Sequence, residues 1–290
     1  MAEQLALIMD QARRQEGGII LDEQLLKTAA PQRVLAVLAQ YEKDPSEGVQ
    51  YLTYHYYQEL ARLHPSLEVR QAVVDRFTEL LTDESFDWWS GVAGWMGDNC
   101  RASDFSEASR ERLRRAVPMR GGKVIRLYGV ADMQDMLPYL QGLLIDEEAY
   151  RASYEAGGLA GGLWYGTDSW QARLTRARLG VQEDIQKCLQ LVESEKDEDR
   201  RVLRLLPDVG YIRQPAAIEY LKRYVYSEER LPRVKETAPG SPYAAYAIHV
   251  LCDALNNFPI RKDDGIGYTD DELVLCRQWL AEQTQWDIRR

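Results

Sequence analysis

The stretch DEDRRVLRLLPDVGYIRQPAAIEYLKRYVYSEE, residues 197–229, decides the fold. An acidic, arginine-bearing opening leads into an apolar run, then to Gly210, then to a second run that starts at Pro215. Ile218, Leu221 and Val225 recur there at steps of three and four, which places them on one face of a helix. The expected unit is a first helix, a turn at Gly210 and a second helix.

Two other segments carry the same signature: LYGVADMQDMLPYLQGLL from Leu127 and LGVQEDIQKCLQLV from Leu179. Gly129 and Gly210 are 81 positions apart, and this offset sets Met136 on Ala217, Leu137 on Ile218, Tyr139 on Tyr220 and Leu140 on Leu221. Gly180 marks the copy between them. Repetition of one helical unit points to stacked pairs, since a unit that buries one face needs neighbours to complete its core.

The rest of the chain is helical in pattern as well. In DPSEGVQYLTYHYYQELARLH, residues 44–64, Val49, Leu52, Tyr56, Leu60 and Leu63 form one apolar stripe. Asp44 reads as its N-cap, with Pro45 at the first helical position and Glu47 completing a capping box. Asp104 with Glu107, and Thr269 with Glu272, have capping-box spacing too. No segment alternates as a strand does, so the fold class is all-α.

The pattern of leucine–glycine followed by spaced Ile, Leu and Val, after an acidic, arginine-containing helix, resembles the HEAT-repeat family of α-solenoids. The likeness runs over residues 66–258 and includes SLEVRQAVVDRFTELLTDE from Ser66 as a further first helix. The resemblance implies a right-handed superhelix of antiparallel helix pairs with a concave inner surface. On that basis residues 1–290 form a single solenoid domain. Residues 1–65 read as a divergent N-terminal helical cap, and 155–168 as a glycine-rich insertion or connector.

Composition narrows the functions. The chain has 290 residues, 45% of them hydrophobic, and carries 36 Lys and Arg against 46 Asp and Glu, a formal net charge of −10. Such a field opposes a phosphate backbone or an anionic membrane and favours a basic protein or peptide partner. Cys100, Cys188, Cys252 and Cys276 form no CxxC pair and read as buried thiols of a reducing compartment. The opening MAEQLALIMDQARRQEGG carries Glu3 and Asp10 inside an amphipathic helix, unlike a secretory leader. The expected location is the cytoplasm.

A search for chemistry yields little. GLAGGLWYG, residues 158–166, lacks the lysine and the preceding strand of a phosphate loop. It reads as a connector, or as an insertion presenting Trp164, Tyr165 and Trp170 at a binding surface. His249 and Cys252 share a helical face, but the stripe around them is aliphatic, and His55 and His64 have no third ligand. In KDDGIGYTDDE, aligning Gly265 on the invariant glycine of a calcium loop puts Ile260 and Lys262 at ligand positions, where neither could serve. No catalytic residue, metal or cofactor is expected.

Aromatic residues are the remaining signal, with 17 Tyr and 7 Trp against 4 Phe. Trp88, Trp89 and Trp95 read as core. Tyr51, Tyr54, His55, Gln58 and Arg62 lie off the apolar stripe of their helix and make a mixed face suited to protein contact. On the helix from Pro215, Glu219 and Tyr220 lie off the buried stripe and face the inner surface. The leading expectation is a non-enzymatic protein-binding scaffold or adaptor, including an immunity- or inhibitor-type partner of a basic protein. The resemblance leaves two alternatives: a HEAT-like enzyme, such as a bilin lyase or a DNA glycosylase, and a structural subunit of a larger complex. The glycosylase conflicts with the negative charge.

Overall fold

The computed structural model describes residues 2–14, 22–146, 148–150, 152, 164–230, 242–260 and 268–289. Within them 74% of residues are helical, in 16 α-helices, with no strand. The all-α expectation holds. No helix among the described residues is long and apolar enough to cross a membrane. The chain divides into two compact units, Met1–Ala131 and Asp132–Arg290.

The first unit contains α1 (Ala2–Arg14), α2 (Glu23–Thr28), α3 (Pro31–Leu38), α4 (Glu47–Leu63), α5 (Leu67–Leu81), α6 (Trp89–Asn99), α7 (Glu107–Arg120) and α8 (Arg126–Val130). Helix α4 is its centre, touching α1, α2 and α3 on one side and α5 on the other. Val49, Leu52, Tyr56 and Leu60 are buried along it, as their spacing requires. Its start differs from the expectation. Ser46 is the N-cap residue, and the Asp44 carboxylate instead accepts from the Ser46 backbone N–H at 2.9 Å and pairs with Arg13. Arg13, from α1, has drawn the aspartate out of the capping role. Likewise Ser106, not Asp104, caps α7, because Asp104 is taken by Arg70 at 2.9 Å.

The second unit contains α9 (Leu137–Gly142), α10 (Asp168–Arg178), α11 (Gln182–Glu193), α12 (Glu198–Arg200), α13 (Leu206–Ile212), α14 (Pro215–Val225), α15 (Tyr243–Ala254) and α16 (Asp270–Glu282). A π-helical turn, Arg201–Leu205, joins α12 to α13. Pro207 explains it, because its ring has no N–H for the preceding turn and pushes the carbonyl below it away. Helices α10 and α11 pack against each other, as do α13 and α14, and α15 and α16. Along the unit α10 touches α13 and α13 touches α15, while α11 touches α14 and α14 touches α16. Helices α14 and α15, which belong to successive pairs, pack against each other as well. The capping box of Thr269 and Glu272 opens α16 as expected.

The turns are not where the glycines suggested. Gly210 lies inside α13, and the residue in the left-handed conformation is Arg213, with φ of 49°. Asp132, three residues after Gly129, likewise has a positive φ, 53°. In the middle copy Gly180 itself has φ of 95°, so Ala177, not Gly180, stands where Gly129 and Gly210 stand. The core positions follow that register: Ile185 and Cys188 are buried like Ile218 and Leu221. Leu140 is buried, whereas Leu137, at the start of six-residue α9, is only half-buried.

Candidate functional site

A cleft of about 310 Å³ opens in the second unit where the last turns of α11 and α14 meet the start of α12 and of α15. Glu193 closes α11, Glu198 begins α12, and Arg201 and Val202 belong to the π turn. Arg223 and Tyr224 come from the last turn of α14, Ser227 and Glu229 from the segment after it, and Tyr243 from the first turn of α15.

Most of its polar groups are tied to one another. The Tyr220 hydroxyl donates to Glu193 Oε2 at 2.8 Å, and Arg223 Nη2 donates to the same oxygen at 3.0 Å. Arg223 also stacks over the Tyr220 ring, 4.4 Å from its centroid. Arg201 pairs with Glu198 at 3.5 Å. The Tyr243 hydroxyl donates to Asp199 Oδ1 at 3.3 Å. The hydrogen bond from Tyr220, aided by Arg223 and Arg201, holds the Glu193 carboxyl below its usual range. Burial, with Asp199, Glu198 and Glu229 nearby, pushes the Tyr243 phenol up to about 12, so it stays a neutral donor. Each arginine of the lining has a carboxylate beside it. Arg201 Nε is nonetheless buried without a hydrogen-bond partner among the described residues, and Glu229 makes no ion pair among them.

The residues singled out in the sequence are scattered. Tyr220 is buried beneath this cleft, and Glu219, though exposed, accepts from the Trp286 indole N–H at 3.0 Å. Trp164 and Trp170 are interior, with centroids 4.8 Å apart, and Trp170 Nε1 donates to buried Asp208 at 2.7 Å. Their role is therefore packing and anchoring, and they present no surface to a partner. Tyr165 is half-buried, edge-on to Trp164. Of the rest of the glycine-rich stretch, residues 158–163 lie outside the described residues, as do 262–267 of the calcium-like stretch.

The face on α4 is split as well. Tyr54 points inward, its hydroxyl donating to the Glu42 carbonyl at 2.9 Å. Tyr51 stays 48% exposed, edge-on to half-buried His55 at 4.3 Å and 5.5 Å from the Trp88 ring. Trp88 is half-buried and joins this surface aromatic group instead of the core. His64 Nε2 donates to the Leu26 carbonyl, 2.8 Å away. Cys252 is only partly buried and its thiol donates to the Ile260 carbonyl at 3.2 Å. Among the described residues no group of three or more His, Cys, Asp or Glu could hold a metal ion.

Arg201, Tyr224, Glu229 and Tyr243, which make the cleft, were not singled out by the sequence. No spacing could have found them, because they come from four elements separated in the chain. No family model, no curated protein and no solved structure matches this chain.

Proposed function

We propose that this chain is a non-enzymatic protein-binding scaffold that engages a basic partner. One observation carries the reading. The second unit is built from successive helix pairs, which this reading sets in two rows, and its cleft, at the ends of α11 and α14, is walled by three glutamates, two arginines and two tyrosines. Rows of helix pairs hold side chains rigidly over an extended surface, which suits the capture of another chain. The formal net charge of −10 would steer a cationic partner towards it. The same reading takes the rows as a right-handed, HEAT-like solenoid and the site of action as the cytoplasm. An immunity- or inhibitor-type role is one form of it.

Cross-linking capture with the full chain in its native host, followed by titration of the recovered protein at low and high ionic strength, tests the proposal. A basic protein whose affinity falls as salt rises is the expected result, since screening shortens the reach of the field. A partner that is acidic, or bound with an affinity indifferent to salt, would overturn it.

A further inference from the structure

We infer that the surface aromatic group of the first unit is a docking point for a basic segment of the partner, which lays a lysine or arginine side chain on the exposed ring of Tyr51 beside Trp88. The inference rests on the scaffold reading and adds a contact outside the cleft.

The rings are open to a partner and already in place. Tyr51 keeps 48% of its surface exposed although its ring lies 4.3 Å from that of His55 and 5.5 Å from that of Trp88. Trp88 and His55 are half-buried. Aromatic rings attract a cation through their quadrupole, tryptophan more strongly than tyrosine. Because its two neighbours hold the Tyr51 ring, little order is lost on binding, which lowers the cost of forming the complex.

Charge around the rings selects the class of side chain. Glu47 lies one turn before Tyr51 on α4, and Glu84 and Asp87 lie in the turn between α5 and Trp88. All three are exposed, and none makes an ion pair among the described residues. The nearby cations are engaged elsewhere. Lys43 pairs with Asp83 at 2.5 Å. Arg120 donates to the carbonyls of Leu81 and Asp83 and sits over the ring of Trp89, the residue after Trp88. Gln50 and Asp87, the chain neighbours of Tyr51 and Trp88, both line a groove of about 170 Å³. Helix α4 and the turn thus stand on two sides of one opening, and the carboxylates of both belong to the same surface. An acidic side chain would meet Glu47, Glu84 and Asp87 and be refused.

Neutral-capped tripeptides, Gly-Lys-Gly and Gly-Arg-Gly, with Gly-Glu-Gly and Gly-norleucine-Gly as comparisons, are titrated against the full chain by NMR. The readout is the indole N–H signal of Trp88, assigned with Trp88→Phe. The lysine and arginine peptides should shift it, and the glutamate and norleucine peptides should not. Tyr51→Leu and, separately, the pair Glu47→Gln with Asp87→Asn should each weaken binding by roughly two- to fivefold, the size of one exposed contact of this kind. Tyr51→Phe, which keeps the ring, should bind as the wild type does. These side chains are exposed, and unfolding midpoints confirm that each variant is folded. Equal binding of the norleucine peptide would make the contact apolar and overturn the assignment of a cation. Equal binding of the glutamate peptide, binding unaffected by Tyr51→Leu, or no binding at all would overturn the inference. If the captured partner titrates against the Tyr51→Leu chain as it does against the wild type, the Tyr51 surface loses its role while the scaffold stands. If no basic partner exists, the scaffold reading fails whatever the tripeptides do.

Discussion

Asp132 and Arg213, 81 residues apart, both have a positive φ, 53° and 49°. Each ends the turn that follows a helix bearing the aligned glycine, Gly129 or Gly210, and Gly180 fills the same place in the copy between them. Each of the three stretches thus turns on a residue of positive φ. Only one of the three copies supplies the glycine that such a conformation prefers.

That relationship predicts an asymmetry among the three turns. A β-carbon at Gly180 would meet no atom within 4 Å, so the cost of Gly180→Ala is purely that of the backbone. We expect a loss of about 1 kcal/mol in denaturant unfolding. Asp132→Gly should stay within about 0.5 kcal/mol of wild type, because relief of strain is offset by a more flexible unfolded chain. Asp132→Val should be clearly destabilising, since a branched side chain tolerates positive φ poorly. A neutral Gly180→Ala would remove the turn from the repeat.

Gly210 has a different duty. A β-carbon there would stand 2.1 Å from Val250 Cγ1, so the glycine is what lets α13 lie against α15. Gly210→Ala should cost about 1–3 kcal/mol through overpacking. Val250→Ala in the same chain should recover part of that loss. A double-mutant cycle with no coupling between the two sites would show that the close approach is not the cause.

Acid should act through Asp83 in the first unit. The Lys43 ammonium at 2.5 Å, with the Ser85 hydroxyl and N–H, holds its carboxyl down to about 2 from the usual 3.8. A pKa lowered on folding stabilises the protein above the unfolded value, and that stability is lost as pH falls from 3.8 towards 2. Asp83→Asn should therefore lower stability at neutral pH and flatten its fall across this acidic window. Chemical denaturation at several pH values reads it. Parallel curves for variant and wild type would refute the assignment.

What the sequence determined by itself was local. The stripe of Val49, Leu52, Tyr56 and Leu60 and the capping box of Thr269 and Glu272 specify helices because their partners are a turn away. The 81-residue offset is likewise a comparison along one chain, and the two positions it pairs, Asp132 and Arg213, both have positive φ. Tertiary structure decided the rest. Arginine has no preference for a left-handed turn. Arg213 is held in one while its guanidinium is buried and donates to the Arg289 carbonyl at 2.9 Å, from the far end of the unit. Trp164, Trp170 and Tyr54 looked suited to an interface, and whether an aromatic faces inward depends on what packs over it: Asp208 receives the indole of Trp170, and Glu42 the hydroxyl of Tyr54. The cleft exists only once four separate elements converge, so no periodicity along the chain could announce it.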